Sequence, residues 1–124
     1  MSKPEHFEIL KERAIFRPTG QVSIEQAMEL VTGAIAFARS LHIRKLFVDI
    51  SNVTGFESPD VVSRYFYIHE WARAAGGLVR VALVARPEMI DPQKFGITVA
   101  ANIGFIAEVF TSEEDALKWL EGLK

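Results

Sequence analysis

Residues 46–85 read LFVDISNVTGFESPDVVSRYFYIHEWARAAGGLVRVALVA, and they decide the fold. Residues 46–50 are apolar except at Asp49. A run this short and this apolar fits a strand covered on both faces, inside a parallel sheet. Ser58-Pro59-Asp60 then has the composition of a helix start, with Ser58 as N-cap, Pro59 at the first helical position and Asp60 near the positive end. The helix should run to about Ala75, where Gly76-Gly77 supplies the positive backbone angles that end it. A second apolar strand follows over 78–85. Strand, helix and strand in succession is the usual way to join parallel neighbours.

Working outward, segments 7–10 and 14–17 are short and β-prone, and Lys11, Glu12 and Arg13 between them suit a turn, so the sheet should open with a hairpin. Ser23-Ile24-Glu25-Gln26 has the form of a capping box, in which a hydroxyl and an amide side chain reciprocally satisfy free backbone N–H groups. Ala27, Met28, Val31, Ala34, Ile35, Ala38 and Leu41 follow at spacings of three and four, with Gly33 among them as a point of close packing. Beyond residue 85, 86–90 reads as a loop. Asp91-Pro92 begins a helix over 93–102, and 107–110 is a last strand. Ser112 caps a terminal helix that turns Ala116, Leu117 and Leu120 inward. The expectation is a single α/β domain over residues 1–124, with a mixed, mostly parallel sheet of about five strands and about four helices.

Composition narrows the function. Hydrophobic residues make up 49% of the 124 and charged residues 24%, which is ordinary globular usage. The net charge is -2 and the Lys and Arg residues are scattered along the chain, an arrangement that argues against nucleic acid as partner. With 0 cysteines, thiolate nucleophiles, thiolate metal sites and disulfides are excluded, which fits a cytoplasmic protein. No apolar run is long enough for a membrane span or a secretory signal. No Gly-x-Ser-x-Gly, His-Glu-x-x-His or phosphate-cradling glycine pattern occurs, so neither a cofactor nor a metal is expected. A hydrolytic pairing of His69 with Glu70 or Ser63, or of His42 with Asp49, has unsuitable spacing, because adjacent helical residues point in different directions. No catalytic residue is assigned and the expectation is a protein that is not an enzyme.

Two local motifs sharpen the reading. Val48-Asp49-Ile50-Ser51-Asn52-Val53 resembles the strand end with which STAS domains, named from sulphate transporters and anti-sigma-factor antagonists, enter their functional loop. Residues 110–120, FTSEEDALKWL, resemble the C-terminal signature of SpoIIAA-like proteins, and the order of elements over 7–123 is similar to that of the STAS fold. The resemblance implies a STAS/SpoIIAA-like domain with a regulatory or lipid-like-ligand-binding role. In phospho-regulated members it also implies an Asp-Ser-Ser-Gly-like turn whose serine is phosphorylated by a partner kinase. Here that stretch is Glu57-Ser58-Pro59-Asp60, so the acceptor falls on Ser58 in one register and on Pro59, which cannot be phosphorylated, in the other.

Two candidate sites follow. Ser51, Asn52, Ser58 and Arg86 should gather outside the carboxyl ends of the strands, where ligands of parallel α/β sheets collect, and could hold an anion. Against this, Glu57 and Asp60 repel phosphate, and Ser58 reads more simply as an N-cap and Arg86 as a solvated arginine. The second candidate is the helix over 61–75. Val61, Tyr65, Ile68, Ala72 and Ala75 form a core stripe, which leaves Phe66, Tyr67 and Trp71 to face a partner surface or an apolar cavity, unless a neighbouring element covers them. The expected function is therefore a regulatory module working through protein contacts, with a homodimer as the simplest form. The alternatives are a carrier or sensor of an apolar small molecule or lipid, and a phospho-switch at Ser58.

Overall fold

The computed structural model describes residues 2–123. Strands β1 (Phe7–Leu10) and β2 (Arg13–Phe16) pair antiparallel around the Lys11-Glu12 turn. Helix α1 (Ile24–Ser40) leads to β4 (Lys45–Asp49), helix α2 (Val61–Ala75) to β6 (Arg80–Val84), and helix α3 (Phe95–Asn102) to β7 (Ala107–Phe110). The five strands lie in the order β1-β2-β4-β6-β7, and every pairing after the first is parallel. Helix α4 (Glu113–Glu121) closes the chain. The fold is thus α/β with four helices and a five-stranded mixed sheet, as expected from the alternation of segments.

Strand pleating divides the core into two layers. Phe16, Leu46, Val48 and Val81 face the larger layer, which α1, α2 and α3 cover. Ile15, Phe47, Ala82 and Val84 face the other, which Ala116 and Leu120 of α4 seal. The continuous apolar runs of β4 and β6 are explained by this two-sided burial.

Helix starts follow local chemistry closely. The capping box forms as expected, with Gln26 N–H donating to Ser23 Oγ at 3.1 Å and Ser23 N–H to Gln26 Oε1 at 3.0 Å. Ser112 accepts from Asp115 N–H at 3.3 Å. Two expected starts move. Helix α2 is capped by Asp60, which accepts from Ser63 N–H at 2.8 Å, so Ser58 is not the N-cap and Pro59 is not in the first turn. A carboxylate bonds the free N–H groups of the first turn with a full charge, and it fixes the helix start two residues beyond Ser58. Helix α3 begins at Phe95 instead of residue 93 because Lys94 is left-handed (φ 51°), although Asp91 still accepts from Phe95 N–H at 2.7 Å.

Gly33 is exposed with nothing near its Cα hydrogens, so it does not mediate close packing. Gly76 is where glycine is needed: φ is 57°, and a Cβ there would stand 2.3 Å from the Arg39 guanidinium. A further pair of short strands, β3 (Gly20–Gln21) and β5 (Val53–Thr54), runs parallel beside the main sheet.

Arg17 links the two layers' edges: it pairs with Glu113 at the start of α4, lies 3.6 Å from Asp49, and stacks 5.0 Å over the Phe47 ring. The Arg17 hydrogen bond holds the Glu113 carboxyl below its usual 4.5. A depressed carboxyl stabilises the fold above its unfolded pKa, and that contribution disappears as pH falls through the folded value. Glu113→Gln should therefore lower the unfolding free energy at neutral pH by only about 0.5 kcal/mol, since the pair is half exposed. The deficit should shrink steadily below pH 4.5 in urea titrations of the two proteins.

Candidate functional site

The loop leaving β4 is built around Asp49, a carboxylate only 8% exposed. Its Oδ1 accepts from Ser51 N–H at 2.9 Å and from the Ser51 hydroxyl at 2.6 Å. Arg86, after β6, donates to the carbonyls of Ser51 (3.1 Å) and Val53 (2.8 Å) and pairs with Glu88 at 3.3 Å. Asn52 is exposed, and its carbonyl accepts from Gly20 N–H at 3.3 Å. Ser51 and Arg86 therefore do come together, with the arginine's donors directed at main-chain carbonyls, while the exposed Asn52 between Ser51 and Val53 turns its carbonyl to Gly20.

Ser58 is held elsewhere. Its hydroxyl is bonded by Arg64 of α2, and the same guanidinium group donates to the carbonyls of Met89 (3.2 Å) and Pro59 (3.1 Å). Arg64 is the residue that sequence reasoning missed. It lies one helical turn before Ile68 and two before Trp71, and that spacing of 64, 68, 71 and 75 marks the inward face of α2.

The inward face is consequently rotated from the expected stripe. Ile68, Trp71 and Ala75 are buried, whereas Val61 and Tyr65, expected inside, are exposed. Trp71 is corrected from a surface residue to a core one: it is 6% exposed, and its Nε1 lies 3.4 Å from the Met28 carbonyl of α1. Tyr67 is half-buried, and its burial, followed by the charges of Glu25 and Asp60, raises its phenol above the usual range. Phe66 remains outward at 60% exposure, beside Val62 at 78%. Val61, Val62, Tyr65 and Phe66 thus form an exposed apolar strip on the first half of α2.

Beneath α2 lies a cavity of about 100 Å³. Tyr67, Ile68 and Trp71 form one wall, Gly96 and Ile97 of α3 another, and Leu83 and Val109 the floor. Met89 and Ile90, at and after the short 3-10 turn Pro87–Met89, border the same space. Its charged borders are already engaged: Lys94 pairs with Glu108 at 3.1 Å, and Asp91 is held below the usual carboxyl range chiefly by Phe95 N–H. An apolar interior with satisfied polar borders suits a hydrophobic occupant and offers no activated nucleophile.

His69 and Glu70, weighed for hydrolysis, are likewise engaged. His69 Nδ1 lies 3.0 Å from the Tyr65 carbonyl, and Glu70 pairs with Arg73 at 2.7 Å. Among the described residues no cluster of three or more His, Asp or Glu side chains could hold a metal ion, and no helix is long and apolar enough to cross a membrane.

Comparison with known proteins agrees with this architecture. No family model and no curated protein matches the chain. Among solved structures, the anti-sigma factor antagonist SpoIIAA in its unphosphorylated form is similar over 94% of this chain and 97% of its own, at 15% identity and a TM-score of 0.52. An uncharacterised protein of the DUF3478 family with a SpoIIAA-like fold, from Shewanella loihica, aligns over 97% of this chain and 98% of its own, with 20% identity and a TM-score of 0.52. The protein TM1081 aligns over 99% and 93% at 14% identity and 0.51. The fold is SpoIIAA-like.

Gly96 gives a direct probe of the cavity. A Cβ added there would meet Ile68 at 3.4 and 3.5 Å, which is ordinary contact. Gly96→Ala should therefore raise the unfolding free energy by about 0.5–1 kcal/mol through helix propensity, while narrowing the space beside Ile68. Urea unfolding checks the sign, since a loss of stability would mean that α2 and α3 cannot accommodate the methyl group.

Proposed function

We propose that this SpoIIAA-like domain is a non-enzymatic regulatory module that acts by protein contact through α2 and the loop before it, with a homodimer as the simplest assembly. The observation that carries the reading is the strip Val61, Val62, Tyr65 and Phe66, which one protomer leaves in water. Apolar area removed from water contributes roughly 25 cal/mol per Å², so a surface that covers these side chains gains directly from them. The similarity in fold to a protein described as an anti-sigma factor antagonist supports a role through partners. Sedimentation at about 10–100 μM, a range that detects ordinary self-association, should show a dimer, and Phe66→Asp combined with Val62→Asp should return it to monomer with an unchanged circular dichroism spectrum. A wild-type chain that stays strictly monomeric and binds no partner through this strip removes the reading.

The cavity favours a second reading, a carrier or sensor of an apolar small molecule. Its volume, about 100 Å³, is somewhat below that of engineered apolar cavities of ~150 Å³ that admit benzene. It suits a short chain end or a small ring, with Tyr67 and Trp71 against it. Native mass spectrometry after gentle purification should then show a co-purifying apolar mass that Gly96→Ala diminishes, and a bare chain in every preparation counts against it.

Phosphorylation at Ser58 is the third reading. Arg64 beside the hydroxyl would favour the added charge, and Glu57 and Asp60 would oppose it. Ser58→Asp should change partner affinity if the switch operates; equal affinity sinks it.

A further inference from the structure

Residues 86–94 run as a strap from the end of β6 to the start of α3, along one border of the cavity beneath α2. Met89, Ile90, Asp91 and Lys94 all line that space, and Met89 is turned inward to 9% exposure, so the strap is packed against it. Its own backbone bonds are local. Met89 N–H donates to the Arg86 carbonyl at 2.9 Å and Ile90 N–H to the Pro87 carbonyl at 3.1 Å, while Pro87 and Pro92 have no N–H to give. A segment of this kind stays in place through the side chains that reach it.

Those side chains fix the two ends and leave the middle to a pair on the other side of the cavity. At the front, Arg86 donates to the carbonyls of Ser51 (3.1 Å) and Val53 (2.8 Å). At the rear, Asp91 accepts from Gln93 N–H at 3.3 Å and from Phe95 N–H at 2.7 Å, and Lys94 pairs with Glu108 at 3.1 Å. Between them, the Met89 carbonyl accepts from the Arg64 guanidinium of α2 at 3.2 Å, and the Ser58 hydroxyl stands 3.5 Å from the same oxygen. Arg64 also bonds the Pro59 carbonyl at 3.1 Å and the Ser58 hydroxyl. On letting go of Met89 it keeps both of these partners, so release leaves no unpaired charge behind. Lys94 supplies a pivot where the strap joins α3: its φ of 51° and ψ of 46° are left-handed, a conformation that a residue with a Cβ holds under strain.

We infer that residues 86–94 are a gate to the cavity, with Arg64 as the latch and Lys94 as the rear hinge. Breaking the bond from Arg64 to the Met89 carbonyl frees the middle of the strap and lets Met89 withdraw, while Arg86 and Asp91 keep both ends anchored. Methionine suits the moving position, because its unbranched side chain leaves and re-enters a packed site with little demand on geometry. The gate rests on the reading of the cavity as a site for an apolar molecule and names the way in.

The chain has 0 cysteines, so a single introduced thiol reports opening without any ligand. Leu83 borders the cavity, whereas its neighbour Ala82 is buried in the layer that α4 seals. Methyl methanethiosulfonate should therefore label Leu83→Cys through movement of the strap and Ala82→Cys through unfolding. Adding Arg64→Met should accelerate labelling at position 83 by at least about tenfold more than at position 82, the scale of one lost charge-assisted hydrogen bond. Arg64→Lys keeps the charge but cannot serve three acceptors at once, and it should accelerate position 83 in the same direction; it carries the test if circular dichroism finds Arg64→Met unfolded. No acceleration at position 83, or equal acceleration at both positions, overturns the gate. So does a red-shifted tryptophan emission in the Arg64 variants, which reports Trp71 leaving the core and α2 turning. Saturating benzene should slow labelling of Leu83→Cys when Arg64 is intact; failure to do so counts against the apolar-molecule reading alone, since the two labelling rates decide the gate without it.

Discussion

The guanidinium group of Arg64 determines which way α2 faces. A charged side chain on the packed side of a helix is tolerated only when its hydrogen bonds are made, and Arg64 makes them to the Ser58 hydroxyl and to the carbonyls of Pro59 and Met89. These bonds tie the helix start to the chain on both sides: the loop leaving β4 and the turn leaving β6. With Arg64 fixed inward, Ile68, Trp71 and Ala75 follow it at helical spacing and meet α1, α3 and the sheet. Val61, Val62, Tyr65 and Phe66 must then point outward. Both the cavity and the exposed strip are consequences of one side chain's orientation.

That interaction also explains where sequence reasoning stopped. The order of strands and helices was readable because each element carries its own local signal: two-sided apolar runs in β4 and β6, a capping box before α1, a glycine pair after α2. The facing of α2 was not, since it has apolar residues on nearly every side and its periodicity admits two stripes about one residue apart. A reading by hydrophobicity keeps Arg64 in water and so selects the stripe through Val61 and Tyr65. Only the carbonyls brought by the 87–90 turn make the other stripe acceptable, and these come from a distant part of the chain. Ser58 lost its capping role because the helix begins two residues later, where Asp60 accepts from Ser63 N–H and Ser58 is bonded to Arg64 instead.

The expected anion site divides along comparable lines. Placing Ser51, Asn52, Ser58 and Arg86 at the carboxyl ends of the strands was sound as topology, and the carbonyls of Ser51 and Val53 do meet Arg86. What topology could not supply is where the donors point. Arg86 satisfies the carbonyls of Ser51 and Val53, and Asp49 takes the Ser51 hydroxyl and N–H. Ser58 belongs instead to the group around Arg64.

The exposed strip and the cavity share α2, and this has an energetic consequence. Phe66 lies outward while its neighbour Tyr67 lines the cavity, and the two rings are in edge-to-face contact with centroids 6.0 Å apart. Anything that shifts the helix to open the cavity must therefore move the strip as well, and anything that clamps the strip resists that opening. Arg64 restrains the same movement, since its bonds span the gap between α2 and the turn over the cavity. A protein partner on the outer face and an apolar molecule on the inner one would then be linked through a single rigid element, each altering the other's affinity by the same factor.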